Sequence, residues 1–316
     1  MNLEIMENIE KFANKIIENK NSAESLIIYN NNSDYILDLA NDKVFDVRSI
    51  SKTVLSLACG ILIDETFGEF SLETEIFPII KDKINLTNKK NLKNLKEVKV
   101  KHLLTHTTGY RDLLLFSKDL KESDYDNLFD YCINYPLYFK PGKEFLYSNA
   151  GYYLLSATME EYLEYDLFDF INEDLLVPLD IKDRSWGKYG KYLAGATKIK
   201  LNAYDMLKIG KLIANNGIFN GRKIIDKSYV DLMQKPIEKN TNENQRKFLS
   251  EDYYGLGLWI SDKNTIFASG TGGQLIVFLK NLDIIIVATN SGSLSKAHKI
   301  KEDIDQIIEK IYEIRG

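Results

Sequence analysis

The apolar and polar positions begin with a helical rhythm and change period several times along the chain. Ile5, Ile9, Phe12, Ile16 and Ile17 share one face of "MNLEIMENIEKFANKIIENK" and charges fill the rest, which predicts an amphipathic first helix. Two short β-rich runs, "SLIIYN" and "DYILDL", are separated by Asn-Asn-Ser and predict a hairpin. After Ser49 the residues Val54, Leu55, Leu57, Ala58, Cys59, Ile61 and Leu62 are apolar around nearly the whole circumference, so that helix must be central. From about 68 to 190 strand signals nearly vanish, and helical patterns such as "AGYYLLSATMEEYLEY" alternate with loops.

After 195 the pattern changes again. "LNAYDMLKIGKLIANNG" predicts a helix capped by Asn202 and stopped by Gly217. The runs "YYGLGLWI", "NTIFASG", "GQLIVFL" and "DIIIVATN" read as strands, the last two joined by a turn at Lys280 to Leu282, and a charged helix from about 296 to 314 follows. Strands at both ends with helices between them predict an α+β fold: one antiparallel sheet built from both terminal segments and flanked by helices, with an all-α insertion. The expected division is a sheet domain of residues 1–67 plus 195–316 and a helical domain of residues 68–194.

Composition narrows the function classes. The 316 residues are 44% hydrophobic and 28% charged, an ordinary globular mixture that excludes disorder and a collagen-like fibre. A formal net charge of -5 argues against a nucleic-acid partner. The Lys-rich segment 81–101 carries no aromatic to stack a base and reads as a solvated loop and strand edge. Two cysteines, Cys59 and Cys132, make neither a disulfide framework nor a metal spacing. With neither a signal-peptide core nor an apolar run of membrane-spanning length, the expected setting is cytoplasmic, without membrane attachment.

Candidate chemistry centres on "RSISKTVLSLACGILIDE", residues 48–65, where Ser49 and Lys52 stand three apart at the mouth of the apolar helix. Ser-x-x-Lys recurs at Ser185/Lys188 and Ser293/Lys296, but Gly187 and Gly190 break any helix at the first, and the second opens a strongly charged helix. At Ser49 the two side chains share a helical face. A serine in the first turn has free N–H groups and a positive dipole beside it, and these also lower the pKa of a half-buried lysine. The pair reads either as an activated nucleophile or as a capping serine with a snorkelling lysine.

A second group comes from "YFKPGKEFLYSNAGYYLLS", where Tyr147 follows a Pro-Gly turn and precedes a long apolar helix. Tyr-x-Asn recurs at Tyr29/Asn31 and Tyr125/Asn127, the first closing a strand and the second in an acidic run. Beside a lysine ammonium, Tyr147 could run as a phenolate and take the serine proton; the alternative is a packed tyrosine with a satisfied hydroxyl. A third element, "FASGTGGQLIVF", sets Gly270, Gly272 and Gly273 at the entrance to a strand. Such a run permits close backbone approach to a ligand, and reads equally as a β-bulge.

Ser-Ile-Ser-Lys, then Tyr-Ser-Asn, then Ala-Ser-Gly fall in an order that resembles the serine β-lactamase and penicillin-binding-protein superfamily, in particular class C β-lactamases, DD-peptidases and related esterases. "VKHLLTHTTGYRD" and "AYDMLKIGKLIANNGIFNGRKII" are similar to family stretches as well. The resemblance implies an active site between an α/β domain and a helical domain. It implies Ser49 as the acylated nucleophile, Lys52 as its partner, Tyr147 as general base and Asn149 as a substrate-contacting amide. Ser49 N–H and Thr271 N–H would form the oxyanion hole, and Ser269, Gly270, Thr271 and Gln274 would line the substrate. No cofactor or metal is implied: His102 and His106 stand four apart like a zinc pair, but they match a family stretch that lacks metal.

One position departs from the pattern. Ala268 stands where the family carries Lys or His, the side chain that helps hold a substrate carboxylate. The "GTGGQ" run instead looks similar to the branch containing the 6-aminohexanoate-dimer hydrolase. The expected activity is therefore hydrolysis of a small ester, amide or peptide through an acyl-enzyme. The alternatives are a DD-peptidase or weak β-lactamase, and a β-lactam-binding or sensing module that does not turn over. The oligomeric state is not specified by the sequence.

Overall fold

A computed structural model describes residues 3–31, 34–116, 120, 127–182, 184–241, 246–291 and 293–313. Five helices of twelve or more residues dominate the described residues: α1 (Leu3–Glu18), α2 (Ile50–Glu65), α3 (Ala150–Leu163), α4 (Ala203–Ala214) and α5 (Ala297–Glu313). Ile9 and Ile16 of α1 are buried as their spacing requires, while the side chain of Ile5 and all of Tyr125 lie outside the described residues. Asn202 caps α4 by accepting the Asp205 N–H at 2.9 Å, and Gly217, at φ +85°, turns the chain away beyond its end. None of the described helices is long and apolar enough to cross a membrane.

The predicted hairpin forms as β1 (Ser25–Asn30) and β2 (Tyr35–Leu39), with a register shift between Ile28 and Tyr29. Three short strands, β3 (Phe45–Asp46), β4 (Ser185–Trp186) and β5 (Ile199–Leu201), make a small sheet in the order β3-β5-β4. Six more follow: β6 (Glu238–Lys239), β7 (Tyr253–Tyr254), β8 (Trp259–Ile260), β9 (Ile266–Ser269), β10 (Leu275–Leu279) and β11 (Ile284–Thr289). They join the hairpin in an eight-stranded antiparallel sheet of order β6-β7-β8-β9-β10-β11-β1-β2. The chain's two ends meet along six residue pairs, from Ser25 opposite Thr289 to Asn30 opposite Ile284.

Period-two burial explains the layers. Leu26, Ile28, Val277, Ile284 and Ile286 pack in one cluster with α1 and α5, whereas Ile27, Ile276, Phe278, Ile285 and Val287 pack in the other with α2 and α4. Burial on both faces accounts for the near-continuous apolar runs in β10 and β11.

Two expectations need correction. "YYGLGLWI" is two strands, β7 and β8, folded back at a turn that Gly255 N–H closes on Leu258 O at 2.9 Å. The turn docks on α2: Thr53 donates to Gly257 O at 2.7 Å and Ser56 to Leu256 O at 2.9 Å. Gly257 sits at φ +83°, and a Cβ there would lie 3.0 Å from Ser56 Cβ and 3.2 Å from Lys52 O. Alternation along eight residues concealed a turn that is recognised only by the helix beneath it. The helical stretch also contains β4, a two-residue strand too short to express any period.

Candidate active site

The nucleophile candidate is delivered by a strained turn. β3 passes into α2 through Arg48, a non-glycine residue at φ +54°. Asp46 holds that conformation: its Oδ1 accepts the Arg48 N–H at 2.8 Å and its Oδ2 takes the guanidinium Nη1 at 3.2 Å. Ser49 then occupies the N-cap of α2 but makes no side-chain capping bond, so its hydroxyl is left for other work.

Lys52 lies one turn on and is fully buried, which removes the snorkelling alternative. Its Nζ is 3.0 Å from Ser49 Oγ, 2.8 Å from Asn149 Oδ1 and 3.5 Å from Ala196 O. No carboxylate pairs with it among the described residues. Burial alone draws its pKa from 10.5 down to about 7. In the neutral form the amine offers two N–H donors to Asn149 and Ala196 and turns its lone pair to the Ser49 hydroxyl.

Tyr147 approaches Ser49 from the loop before α3, near enough that the serine hydroxyl favours its ionised form. The ring stacks on Trp259 at 5.1 Å between centroids, and Lys52 Nζ stands 4.7 Å above its face. Burial pushes the phenol well above its usual range. The expectation of a phenolate beside an ammonium therefore gives way to a protonated Tyr147, with Lys52 as the group that titrates near neutrality. Electrostatically the order of pKa values is reversed because both groups lose hydration together, and the lysine has no counter-charge.

His106 brackets Tyr147. Its carbonyl accepts Leu146 N–H at 2.9 Å and its Nδ1 accepts Ser148 N–H at 3.3 Å, one residue to either side of the tyrosine. The imidazole lies 4.5 Å from the Tyr147 ring, and burial keeps it neutral. His106 itself sits at φ +58°, and His102 Nδ1 is occupied by Lys99 N–H at 3.1 Å. Both imidazoles thus serve the backbone, and no group of three or more metal-ligating side chains occurs among the described residues.

Asn149 joins Lys52 to the facing loop, its Nδ2 donating to Leu115 O at 2.8 Å. Ser269, Gly270 and Thr271 reach the cleft at the end of β9. Among the described residues neither Ser49 N–H nor Thr271 N–H donates to a protein acceptor, so both are available to an oxyanion. Gln274 does not reach the substrate space. It is fully buried, accepting Gly272 N–H at 3.1 Å and donating to Asn290 O at 3.2 Å, and so braces the glycine turn from behind. Ala268 is packed in the core, without a charge at its position.

Two clefts meet at Ser49. The larger, about 580 Å³, is walled by Phe116, Phe145, Tyr147 and Trp259, and its charged residues Glu251 and Lys301 pair at 3.0 Å. The smaller, about 330 Å³, opens beside Asn149 and is lined by Arg48 and Lys198. Sequence reasoning missed Asp46, Arg48, Trp259, Lys198 and the bracketing role of His106. An acidic residue three before the serine was the one local signal. The other Ser-x-x-Lys copies lie elsewhere, with Lys188 bound to Asp166 at 2.6 Å and Lys296 to Glu24 at 3.3 Å.

A family model described as Beta-lactamase matches residues 37–307, which includes every element of this constellation. The chain belongs to the β-lactamase family. This β-lactamase-family chain is 26% identical over 157 residues to penicillin-binding protein 4* of Bacillus subtilis strain 168; the match spans 46% of the chain and 31% of that relative. A Bacteroides dorei DSM 17855 structure, provisionally described as a β-lactamase, superposes with TM-score 0.74 at 16% identity, covering 96% of this chain and 99% of that one. EstCE1, a hydrolase with promiscuous acyltransferase activity, superposes with TM-score 0.66 at 15% identity over 95% of this chain and 98% of that one. The fold is that of the β-lactamase-like superfamily of serine hydrolases.

Proposed function

We propose that the chain is a serine hydrolase that cleaves a small ester or amide through an acyl-enzyme on Ser49. The observation that carries this reading is the buried Lys52 amine 3.0 Å from Ser49 Oγ, held near neutrality by burial. Ser49 Oγ attacks the substrate carbonyl while its proton passes to Lys52 Nζ. The oxyanion is met by the N–H groups of Ser49 and Thr271. As the tetrahedral species collapses, the carbonyl–heteroatom bond breaks, the leaving group takes the Tyr147 phenol proton, and Lys52 returns a proton to Tyr147. Water then attacks the Ser49 ester with the same groups acting in reverse, releasing the acid.

A DD-peptidase or weak β-lactamase is the second reading, favoured by the similarity to penicillin-binding protein 4*. Ala268 weighs against it, since nothing charged occupies the position that would hold a substrate carboxylate. Turnover of p-nitrophenyl esters, nitrocefin and a D-Ala-D-Ala peptide by wild type and Ser49→Ala separates the two. Ester turnover that survives Ser49→Ala overturns both; stoichiometric acylation without release supports a sensing module instead.

A further inference from the structure

One carboxylate oxygen serves two chain segments that meet at the reacting pair. Asp46 Oδ1 accepts Arg48 N–H at 2.8 Å and, 152 positions away, Lys198 N–H at 3.1 Å. Both donors are non-glycine residues in left-handed backbone, Arg48 at φ +54° and Lys198 at φ +74°, a conformation that persists only where the surroundings fix it. Each lies next to a reacting group along the chain. Arg48 immediately precedes Ser49, and Lys198 stands two residues beyond Ala196, whose carbonyl faces Lys52 Nζ at 3.5 Å. The same two segments are joined again on the inner side. Ser51 Oγ donates to Arg48 O at 2.6 Å and accepts Ile199 N–H at 3.4 Å, and Val47 N–H donates to Ile199 O at 3.1 Å.

Asp46 acts directly on the N–H groups of the left-handed residues, so its oxygen sets the direction in which the chain leaves each of them. Relaxation of Arg48 to negative φ would swing Ser49 Oγ from its place 3.0 Å from Lys52 Nζ, and relaxation of Lys198 would withdraw the Ala196 carbonyl from the amine. We propose that Asp46 is a positioning residue for acylation: through Oδ1 it holds the nucleophile turn and the 196–198 segment in one register, so that Ser49 and Lys52 stand at hydrogen-bonding distance before substrate arrives. This inference rests on the acyl-enzyme reading and adds to it a residue that touches no reacting atom. What counts is the place of an accepting oxygen, not the negative charge. An asparagine amide oxygen has two lone pairs and can take both N–H groups. The Arg48 guanidinium, 3.2 Å from Asp46 Oδ2 and partly exposed, can then turn to solvent. Glutamate keeps the charge but carries its oxygens one methylene farther out.

The test measures kcat/KM for p-nitrophenyl hexanoate and the second-order rate of Ser49 labelling by a fluorophosphonate probe. Wild type, Asp46→Asn, Asp46→Glu and Asp46→Ala are compared after thermal unfolding shows each variant folded at the assay temperature. Asp46→Asn keeps both rates within about 3-fold of wild type, whereas Asp46→Glu and Asp46→Ala lower both about 10- to 100-fold. That order, with the neutral variant active and the charged one impaired, is not what a loss of stability alone would give. Equal losses in Asp46→Asn and Asp46→Glu overturn the proposal, as does a loss in Asp46→Asn that Asp46→Glu does not share, which would show that the charge is what matters. Asp46→Asn and Asp46→Glu decide the matter even if Asp46→Ala does not fold. If wild type hydrolyses no ester and Ser49 takes no label, the acyl-enzyme reading has failed and the proposal falls with it. Wild-type rates in Asp46→Glu sink the proposal alone.

Discussion

Replacing Lys52 by methionine removes a nitrogen that is held in the interior against its preference for charge. The pKa falls from 10.5 in the unfolded chain to about 7 in the folded one. At pH 7 the unfolded state binds nearly a full proton and the folded state about half of one, so the burial opposes folding. Linkage puts the cost at about 4 kcal/mol at pH 7 and about 1 kcal/mol at pH 9.5. The sign is definite: the unfolded state binds more protons between these pH values, so wild-type stability rises with pH by about 3 kcal/mol from this group. Lys52→Met is flat in this respect. The assay is urea denaturation of both proteins at pH 7.0 and 9.5. The stability of the variant relative to wild type must be greater at pH 7.0 and shrink by about 3 kcal/mol at pH 9.5, while hydrolysis is lost at both. Lost bonds to Asn149 and Ala196 offset part of the gain at each pH, but not its change with pH. A relative stability independent of pH would refute the claim that Lys52 is buried without a compensating charge.

The remaining predictions follow from the same geometry. Ester kcat/KM should rise about 10-fold per pH unit below about 7 and level off above it, because acylation needs the neutral Lys52 amine; a pH-rate profile rising only near the usual lysine range contradicts this. His106→Leu strips the acceptor from Ser148 N–H and lowers kcat about 10- to 100-fold, whereas His106→Asn, which can accept that bond and tolerates positive φ, recovers part of it. A loss carried by KM alone, or no recovery by asparagine, counts against the bracketing role. Gly257→Ala, forced into left-handed backbone against α2, should destabilise the fold by about 1–3 kcal/mol in denaturant titrations; an unchanged midpoint removes the docking argument.

What the sequence disclosed follows from range. The period-two strands and the all-round apolar α2 are local signals, and they correctly foretold which segments pair and which helix is central. The Ser49–Lys52 contact was legible because three residues of spacing fix a shared helical face. Gln274 was misread because Ser269, Gly270 and Thr271 just before it do line the cleft, while its own side chain turns inward to Asn290, sixteen residues away. His106 was equally opaque: its work is done on backbone N–H groups of residues 146 and 148, which no side-chain pattern records. Asp46 binds Arg48 locally but Lys198 across 152 positions, so only the fold exposes the second half of its role.

The central claim is that Ser49 is a live nucleophile activated by Lys52. Its most direct test is intact-mass spectrometry after treatment with a fluorophosphonate probe at pH 8, followed by peptide mapping of wild type, Ser49→Ala and Lys52→Met. The account predicts one stoichiometric adduct on Ser49, absent from Ser49→Ala and formed far more slowly by Lys52→Met. Label on another residue, or on Ser49 at the same rate without Lys52, would contradict it.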